Sequence, residues 1–251
     1  MTDVVMPGGE PFFSPGGPLG VLLLHGFTST TSTVMDLAHQ CVDQGYSVSA
    51  PRLPGHGTSV EDLMTTGWDD WSQAALAAYD ELAASCERVA IVGLSMGGTL
   101  AVHVAMHRPD VAAFVFINPY VKHQGAEWDE LAQTMLAAGV ETYDSIGSDV
   151  KKAGVVESSY PQTPIAPAVT LLDAVKVIND HLGSITAPSL LLNSTEDHVV
   201  AIDNGDEIVA KSNGPVERVW LENSFHVATL DNDHELIESS TIAFLAGNLG
   251  R

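Results

Sequence analysis

The chain has 251 residues, of which 45% are hydrophobic, and its 32 acidic side chains outnumber 10 Lys and Arg, which gives a formal net charge of -22. This length and composition exclude a disordered chain and predict one globular domain with a sizeable core. A strongly acidic surface repels phosphate groups, so binding to nucleic acid or to anionic lipid is not expected. The simplest interpretation of the charge is solubility, and adaptation to high salt is the alternative.

The N-terminal sequence and the two cysteines indicate where the protein works. Residues 1–7 lack both a basic region and a long apolar run, and no segment approaches the ~18 consecutive apolar residues that span a membrane. Cys41 and Cys86 fall in segments that we predict to be two different helices, and we expect both to be free thiols. The sequence therefore predicts a cytoplasmic protein without a transmembrane segment.

Short apolar runs alternate along the chain with segments of helical spacing. Continuous runs without polar alternation are typical of strands that are buried on both faces of a parallel sheet. Helical spacing follows in residues 68–82 and again in residues 96–108, where Pro109 ends the helix. This alternation predicts an α/β fold with an open, mostly parallel sheet flanked by helices. The four clearest runs are residues 21–24, 89–92, 114–117 and 190–192.

The loop after the first predicted strand contains His25, Gly26, Phe27 and Thr28. Because this loop leaves a parallel strand, it lies at the carboxyl edge of the sheet, where ligands of such folds bind. The glycine at position 26 would let the following residue turn its backbone N–H inward. We therefore expect the N–H of Phe27 to be a hydrogen-bond donor in a binding site. The alternative is a tight turn with no further role.

Residues 93–97 read Gly-Leu-Ser-Met-Gly and match the G-x-S-x-G pattern of a nucleophile elbow. The match carries weight because it follows a predicted strand and opens a predicted helix, so that the turn lifts the hydroxyl of Ser95 above the sheet. Met96 begins that helix, and its backbone N–H together with that of Phe27 would bind an oxyanion. The sequence thus predicts a nucleophilic serine with two oxyanion donors. A glycine-rich turn with an incidental serine is the alternative.

A long insert separates the runs at 114–117 and 190–192. Residues 120–185 contain no strand-like run, whereas Trp128, Leu131 and Met135 have helical spacing. An insert that leaves the carboxyl edge of the sheet after the fourth core strand is most simply a small helical cap over the active site. We therefore predict a core formed by residues 1–119 and 186–251 and a cap formed by residues 120–185.

A serine nucleophile needs a general base and an acid that orients it. His226 lies in a loop after the last predicted strand, at 218–221, and Asp197 lies in the loop after the strand at 190–192. The chain order Ser95, Asp197, His226 is that of a hydrolase built on such a sheet. The competing carboxylates for the orienting acid are Glu196, Asp203 and Asp206.

No metal site is expected from the remaining histidines. His103 and His107 lie four residues apart on the predicted helix after the elbow, but no glutamate between them completes a zinc motif. The predicted chemistry needs none, because serine, imidazole and carboxylate suffice for acyl transfer. We therefore expect no metal.

Seven stretches in register carry a resemblance to a known family. They are residues 10–12 (Glu-Pro-Phe), 25–28 (His-Gly-Phe-Thr), 51–58 (Pro-Arg-Leu-Pro-Gly-His-Gly-Thr), 93–99 (Gly-Leu-Ser-Met-Gly-Gly-Thr), 144–149 (Asp-Ser-Ile-Gly-Ser-Asp), 196–200 (Glu-Asp-His-Val-Val) and 225–231 (Phe-His-Val-Ala-Thr-Leu-Asp). On these stretches the chain resembles the bacterial monoacylglycerol lipases and the related thermostable carboxylesterases of the α/β-hydrolase superfamily. The resemblance implies the α/β-hydrolase fold, the same triad and oxyanion hole, a small lipid-like ester substrate and no cofactor.

The resemblance also implies a subsite for the alcohol part of the substrate. In the monoacylglycerol lipases a cap isoleucine, a cap glutamate and an asparagine after a core strand surround the glycerol, and the flanking motifs match these to Ile146, Glu157 and Asn118. A carboxylate that accepts hydrogen bonds from vicinal hydroxyls suits this purpose chemically. The alternative for Glu157 is a solvated acid in an acidic protein.

The expected function is hydrolysis of short- to medium-chain monoacylglycerols to glycerol and fatty acid through an acyl-enzyme. A general carboxylesterase without glycerol preference is the first alternative, and a catalytically silent binding module that keeps the fold is the second. Serine at position 95 argues against dehalogenase or epoxide hydrolase chemistry, for which aspartate is expected. An apolar cap surface would also suit a homodimer or brief contact with a lipid surface.

Overall fold

The computed structural model describes residues 4–250. Strands and helices alternate along this part of the chain. The strands are β1 (Phe12–Ser14), β2 (Leu19–Leu24), β3 (Ser47–Ala50), β4 (Arg88–Leu94), β5 (Ala113–Ile117), β6 (Thr142–Asp144), β7 (Gln162–Pro164), β8 (Ser189–Ser194) and β9 (Val216–Leu221). The helices are α1 (Ser32–Asp43), α2 (Val60–Leu63), α3 (Trp68–Ala83), α4 (Met96–His107), α5 (Ala126–Ala137), α6 (Ile165–Asp180), α7 (Asp203–Lys211) and α8 (His234–Leu249).

Seven of these strands form one open sheet in the order β1-β3-β2-β4-β5-β8-β9. Each neighbouring pair is parallel, except that β1 runs antiparallel to β3 at one edge. The prediction of a mostly parallel α/β sheet is confirmed. Because parallel strands all end at the same edge, the loops after β2, β4, β5, β8 and β9 can meet there.

The sheet has a hydrophobic core on each face. Successive side chains of a strand point to opposite faces, so Leu22 and Leu24 join one core while Val21 and Leu23 join the other. All four are fully buried, as is expected of a central strand with helices on both sides. The continuous apolar runs of the sequence follow from this double burial.

The four predicted runs lie within longer strands. Two other strands of the sheet, β1 and β3, have no apolar run by which the sequence could predict them. β3 alternates serine with small apolar residues, and β1 has only three residues at an edge. Ser47 in β3 is nevertheless buried, because its hydroxyl donates to the carbonyl of Gly17 and accepts the N–H of Gly16, both at 2.9 Å. The helix predicted around Cys86 is wrong: α3 ends at Ala83, and Cys86 lies in the loop before β4.

The insert between β5 and β8 contains α5, the short antiparallel pair β6 and β7, and α6. The expectation that it holds no strand is wrong, because two three-residue segments pair with each other, each too short and polar to stand out in the sequence. β5, after which the insert begins, is the fourth of the parallel strands. α6 buries Leu171, Val175 and Ile178 in the core beside β4 and α4, whereas α5 buries no residue. Among residues 4–250, no helix is both long and apolar enough to cross a bilayer.

Candidate active site

Ser95 lies in the turn that joins β4 to α4, in a strained backbone conformation. Its φ is +54° and its ψ is -117°, a region that residues with a side chain rarely adopt. Three backbone hydrogen bonds hold the turn: the N–H of Ser95 donates to the carbonyl of Ile117 at 3.0 Å, and its own carbonyl accepts the N–H groups of Gly98 and Tyr120 at 2.8 and 3.2 Å. The predicted strand–turn–helix context of this serine is present.

The two outer glycines of the elbow have no room for a side chain. A Cβ on Gly93 would overlap the backbone of Gly97, and a Cβ on Gly97 would overlap the carbonyl of Leu24 in β2. The turn therefore packs directly against its own helix and against the neighbouring strand. This close packing is the physical reason for glycine at both positions.

The loop after β2 passes beside the elbow. A Cβ on Gly26 would lie 3.4 Å from the Cβ of Ser95, so the loop that carries Phe27 is in contact distance of the serine. His25 fixes the start of this loop, because its Nδ1 bonds to the carbonyl of Gly26 at 2.9 Å and its Nε2 accepts the N–H of Leu53 at 3.2 Å. Burial lowers the pKa of His25 to about 4, so the ring is neutral and Nε2 is free to accept.

His226 and Asp197 form a close, buried pair. Nδ1 of His226 donates to Oδ2 of Asp197 at 2.7 Å, and both side chains are almost inaccessible to solvent. The second carboxylate oxygen of Asp197 accepts the N–H groups of Val199 and Val200 at 2.9 and 2.7 Å. With Nδ1 engaged in this way, Nε2 is the ring nitrogen left to take a proton.

The competing carboxylates are engaged elsewhere. Each of the three pairs with a basic side chain: Glu196 with Lys151 at 3.0 Å, Asp203 with Lys122 at 2.7 Å and Asp206 with Arg218 at 2.7 Å. Of the four candidate acids, Asp197 is therefore the one that the fold brings to His226.

Ser95, Asp197 and His226 line one cavity of about 610 Å³, to whose wall the insert also contributes. Phe27 and Met96 also line it, so that the serine, the pair and both predicted oxyanion residues face the same space. Most of the remaining wall is apolar and comes from the insert and from the loop after β8: Tyr120, Trp128, Tyr143, Leu171, Leu172, Val199 and Val200. An acyl chain can be accommodated against such a wall.

A polar group of residues lines another part of this cavity. Glu157 is half-buried there, and its carboxylate is close enough to Ser29 and Ser159 for side-chain hydrogen bonds. Burial raises the pKa of Glu157, while the bonds from the two serines and the nearby His226 oppose that shift. Ile146 lines the cavity as well, with 69% of its surface exposed to solvent.

Asn118, which we expect to bind the alcohol, makes its hydrogen bonds within the protein. It is not among the residues that line the cavity, and it is 2% exposed. Its amide nitrogen donates to the carbonyl of His226 and to the hydroxyl of Ser194, each at 2.9 Å, and its amide oxygen accepts the N–H of Ser194 at 2.7 Å. Both ends of the amide are therefore engaged by the protein.

A second hollow lies between α3, α4 and α6, away from Ser95. It measures about 540 Å³ and is open to solvent, with Trp68, His103 and Asp173 in its wall. None of the predicted site residues lines it. Among residues 4–250, no group of three or more His, Cys, Asp or Glu side chains is arranged to hold a metal ion.

Known proteins share these features over nearly the whole chain. The model of a family described as serine aminopeptidase, S33, matches residues 19–233. The chain is 40% identical to the thermostable monoacylglycerol lipase of Bacillus sp. (strain H-257) over 249 residues, which are 98% of each chain. It is 27% identical to the carboxylesterase of Bacillus subtilis (strain 168), with 96% of this chain and 97% of the other covered.

Solved structures agree with this result. A structure solved for LipS and LipT, two metagenome-derived lipolytic enzymes, has a TM-score of 0.93 at 36% identity and covers 98% of this chain and 100% of its own. The monoacylglycerol lipase of Paleococcus ferrophilus, at 18% identity, shares the fold with a TM-score of 0.72 and covers 95% and 99%. The resemblance to bacterial monoacylglycerol lipases and carboxylesterases is confirmed.

Proposed function

Because the chain belongs to the serine aminopeptidase S33 family of hydrolases, we propose that it is a serine esterase that cleaves monoacylglycerols to glycerol and fatty acid. The observation that carries the proposal is the buried pair of His226 and Asp197, 2.7 Å apart, in one cavity with Ser95. The identity of 40% with a monoacylglycerol lipase supports the choice of ester.

In the proposed reaction Ser95 is the nucleophile and His226 the general base. Oγ of Ser95 attacks the ester carbonyl carbon while Nε2 of His226 accepts its proton, and Asp197 stabilises the imidazolium that forms. The tetrahedral oxyanion accepts hydrogen bonds from the backbone N–H groups of Phe27 and Met96. Collapse of this intermediate breaks the bond to glycerol, which leaves with the proton from His226, and an acyl-enzyme remains.

Water then completes the cycle by the same steps. His226 accepts a proton from a water molecule that attacks the acyl carbon, and the second tetrahedral intermediate is bound by the same two donors. Its collapse returns the proton to Oγ of Ser95 and releases the fatty acid. The chain's own residues thus supply every proton transfer.

Two parts of the cavity suit the two parts of a monoacylglycerol. Its apolar wall, with Trp128, Leu171 and Leu172, fits an acyl chain. Glu157 offers carboxylate oxygens to the glycerol hydroxyls, and Ile146 packs beside them. The alternative is a carboxylesterase that hydrolyses simple alkyl or aryl esters, which is favoured by the identity of 27% with the carboxylesterase of Bacillus subtilis.

Glu157→Ala separates these two functions. The variant loses charged hydrogen bonds to the glycerol hydroxyls, each worth about 1.5–3 kcal/mol, so we expect kcat/KM for a monoacylglycerol to fall roughly 10- to 100-fold. A p-nitrophenyl ester of the same acyl length has no such hydroxyls and should change less than about threefold. Steady-state kinetics on both substrates provide the measurement.

Two further variants complete the experiment. Glu127→Ala removes the same charge from an exposed position on α5 and should leave both substrates unaffected. Ser95→Ala should abolish covalent labelling by a fluorophosphonate, which the unchanged protein should show. Equal losses on both esters in Glu157→Ala would favour the general carboxylesterase, and absence of labelling in the unchanged protein would favour a silent binding module.

We also propose a cytoplasmic location and a weak interaction surface on the insert. Cys41 and Cys86 are free thiols, which suits a reducing compartment. Trp128 and Leu131 on α5 are each about half exposed beside the cavity mouth, at 49% and 51%. Apolar side chains at this place would suit brief contact with a lipid surface that holds the substrate, and a second copy of the chain is the alternative partner.

A further inference from the structure

The main chain around His226 is bound by two aspartates, one from the insert and one from its own loop. The N–H of Phe225 donates to Oδ2 of Asp231 at 2.9 Å, and the N–H of His226 donates to Oδ2 of Asp149 at 3.0 Å. The N–H of Val227 donates to the carbonyl of Asp149 at 3.1 Å. Three successive amide groups are thus fixed by two aspartates.

The carbonyl of His226 is held from the opposite side. The amide nitrogen of Asn118, at the end of β5, donates to it at 2.9 Å and to the carbonyl of Phe225 at 3.3 Å. Asn118 itself is almost fully buried and has a φ of +41°, and its side chain is held by hydrogen bonds to Ser194 as well. The peptide groups on both sides of His226 therefore have fixed positions.

Asp149 also reaches the loop that carries the other half of the pair. Its Oδ2 accepts the N–H of His198 at 3.2 Å, and its Oδ1 bonds to Nδ1 of the His198 ring at 2.8 Å. His198 directly follows Asp197. One carboxylate that is 8% exposed therefore holds the main chain at His226 and beside Asp197 at the same time.

A second aspartate, in the loop that carries His226 (the histidine loop), accepts hydrogen bonds from the insert. Oδ2 and Oδ1 of Asp231, which is fully buried, accept the N–H groups of Lys151 and Lys152 at 2.6 and 2.8 Å. Asp149 of the insert therefore accepts hydrogen bonds from the histidine loop, and Asp231 of the histidine loop accepts hydrogen bonds from the insert. We call this reciprocal pair of contacts the aspartate clasp.

We propose that Asp149 is a positioning residue for His226, so that the insert, besides covering the cavity, holds the general base in its reactive place. The inference rests on the proposed serine esterase function. An imidazole must accept the serine proton at hydrogen-bonding distance, and a displacement of about 1 Å can cost roughly 100-fold in rate. Asp149 acts through the main chain of His226 and takes no proton in the reaction.

The test is Asp149→Ala, which removes both carboxylate oxygens. The N–H groups of His226 and His198 both donate to Oδ2 of Asp149, so the variant takes away their shared acceptor. We expect kcat for a p-nitrophenyl ester to fall about 10- to 100-fold and the rate of fluorophosphonate labelling at Ser95 to fall by a similar factor. Asp144→Ala, at an exposed acid of β6 in the same insert, is the matched control and should change neither rate.

A double-mutant cycle separates positioning from direct contact with substrate, because Asp149 also lines the cavity. If Asp149 acts through His226, Asp149→Ala should cause no further loss in the background of His226→Ala, where residual hydrolysis of an activated ester is measured. A full additional loss in that background would show that Asp149 acts independently of the histidine, and it would overturn the proposal.

Folding and the proposed function are checked in the same series. Asp149→Ser replaces the carboxylate with a hydroxyl group. Loss of the folded state in both Asp149 variants would show that Asp149 is needed for stability, and it would overturn the proposal. Labelling of Asp149→Ala at the rate of the unchanged protein would also overturn it, while the esterase function would stand. Failure of the unchanged protein to label would instead refute the esterase function itself.

Discussion

The strained backbone of Ser95 depends on the absence of side chains at Gly93 and Gly97. A φ of +54° is costly for a residue with a side chain, and the turn keeps it only because the chain can pack closely on both sides. Gly93 lies against the backbone of Gly97, which in turn lies against the carbonyl of Leu24. The hydroxyl of Ser95 is thus held in place by close backbone packing, which a methyl group at either glycine would prevent.

Gly97→Ala is expected to damage both folding and reaction. The added methyl group would overlap the carbonyl of Leu24, so β2 and α4 must move apart. Such overpacking costs about 1–3 kcal/mol of unfolding free energy, and the displaced elbow should also lower kcat. Urea unfolding and esterase kinetics provide the measurements.

The matched control for this change is Gly247→Ala on α8. An added methyl group there meets no atom within 4 Å, and alanine favours a helix over glycine by up to about 1 kcal/mol. The control should therefore be neutral or stabilising. Equal effects of the two substitutions would show that the contact with β2 is not what requires glycine in the elbow.

For single residues, the sequence predicts candidates that directly follow strands. Ser95, Asp197 and His226 can be proposed because each lies in a loop after a strand, as a triad on such a sheet requires. Asp149 gives no such signal, since it lies 77 positions from His226 and is one of 32 acids, although it ends one of the motifs of the resemblance. For Asn118, the sequence could not show that its amide bonds to Ser194 and to the carbonyl of His226.

Among the strands, those with apolar runs buried on both faces could be predicted from the sequence, and the shortest could not. β2, β4, β5 and β8 are covered on both faces and have continuous apolar runs, so their existence could be predicted. β6 and β7 have three residues each and are held by one another, which no apolar pattern records. The prediction of a cap rests instead on the length of the insert and on the edge of the sheet that it leaves.

α5 is the least supported helix of the insert and the one most suited to touch another surface. It buries no residue, and its acids Glu127, Asp129 and Glu130 lie beside the exposed Trp128 and Leu131. The acids disfavour anionic lipid, while the apolar side chains favour a neutral lipid surface. Contact through α5 should therefore depend on apolar burial and weaken on anionic vesicles.

Leu131→Asn tests this contact. Transfer of a half-exposed leucine into a lipid surface contributes on the order of 1 kcal/mol, so the variant should lose about fivefold in activity on monoacylglycerol held in zwitterionic vesicles. Activity on a dissolved p-nitrophenyl ester should stay constant. Leu236→Asn on α8, where the leucine is 40% exposed outside the insert, is the control and should leave both activities unchanged. Equal vesicle activity in the two variants would contradict contact through α5.

For the molecule as a whole, buried neutral histidines link stability to pH. His25 and His56 are both fully buried, and burial is the main cause that lowers the pKa of each, to about 4 for His25. Nε2 of His25 accepts the N–H of Leu53 and can do so only when it carries no proton. The unfolded chain, with an ordinary histidine pKa of about 6.5, therefore takes up protons first on acidification.

Acidification therefore lowers the stability of the folded protein through His25. The contribution of His25 is complete above about pH 6.5 and is lost as the pH falls toward 4, with a total of about 3 kcal/mol and roughly 2 kcal/mol already lost at pH 5. His56 acts in the same direction. We expect the free energy of unfolding in urea to be lower at pH 5.0 than at pH 7.5.

Two variants assign this dependence. His25→Gln should be less stable at pH 7.5 and should show a smaller change between the two pH values, because it has no ring to protonate. His39→Gln, which alters an exposed histidine of α1, should keep the full change. An unchanged pH dependence in His25→Gln would mean that His25 is not the linked group.

The aspartate clasp has a consequence for protein engineering. Lids are attractive parts to exchange between related enzymes, because they shape the space for the acyl chain. In this chain the insert, which we propose to be the lid, also supplies Asp149 and the amides of Lys151 and Lys152 to the aspartate clasp. A chimera that grafts a foreign lid across this segment would acquire a new substrate space and loosen its histidine, whereas a junction that keeps residues 149–152 native would change specificity alone.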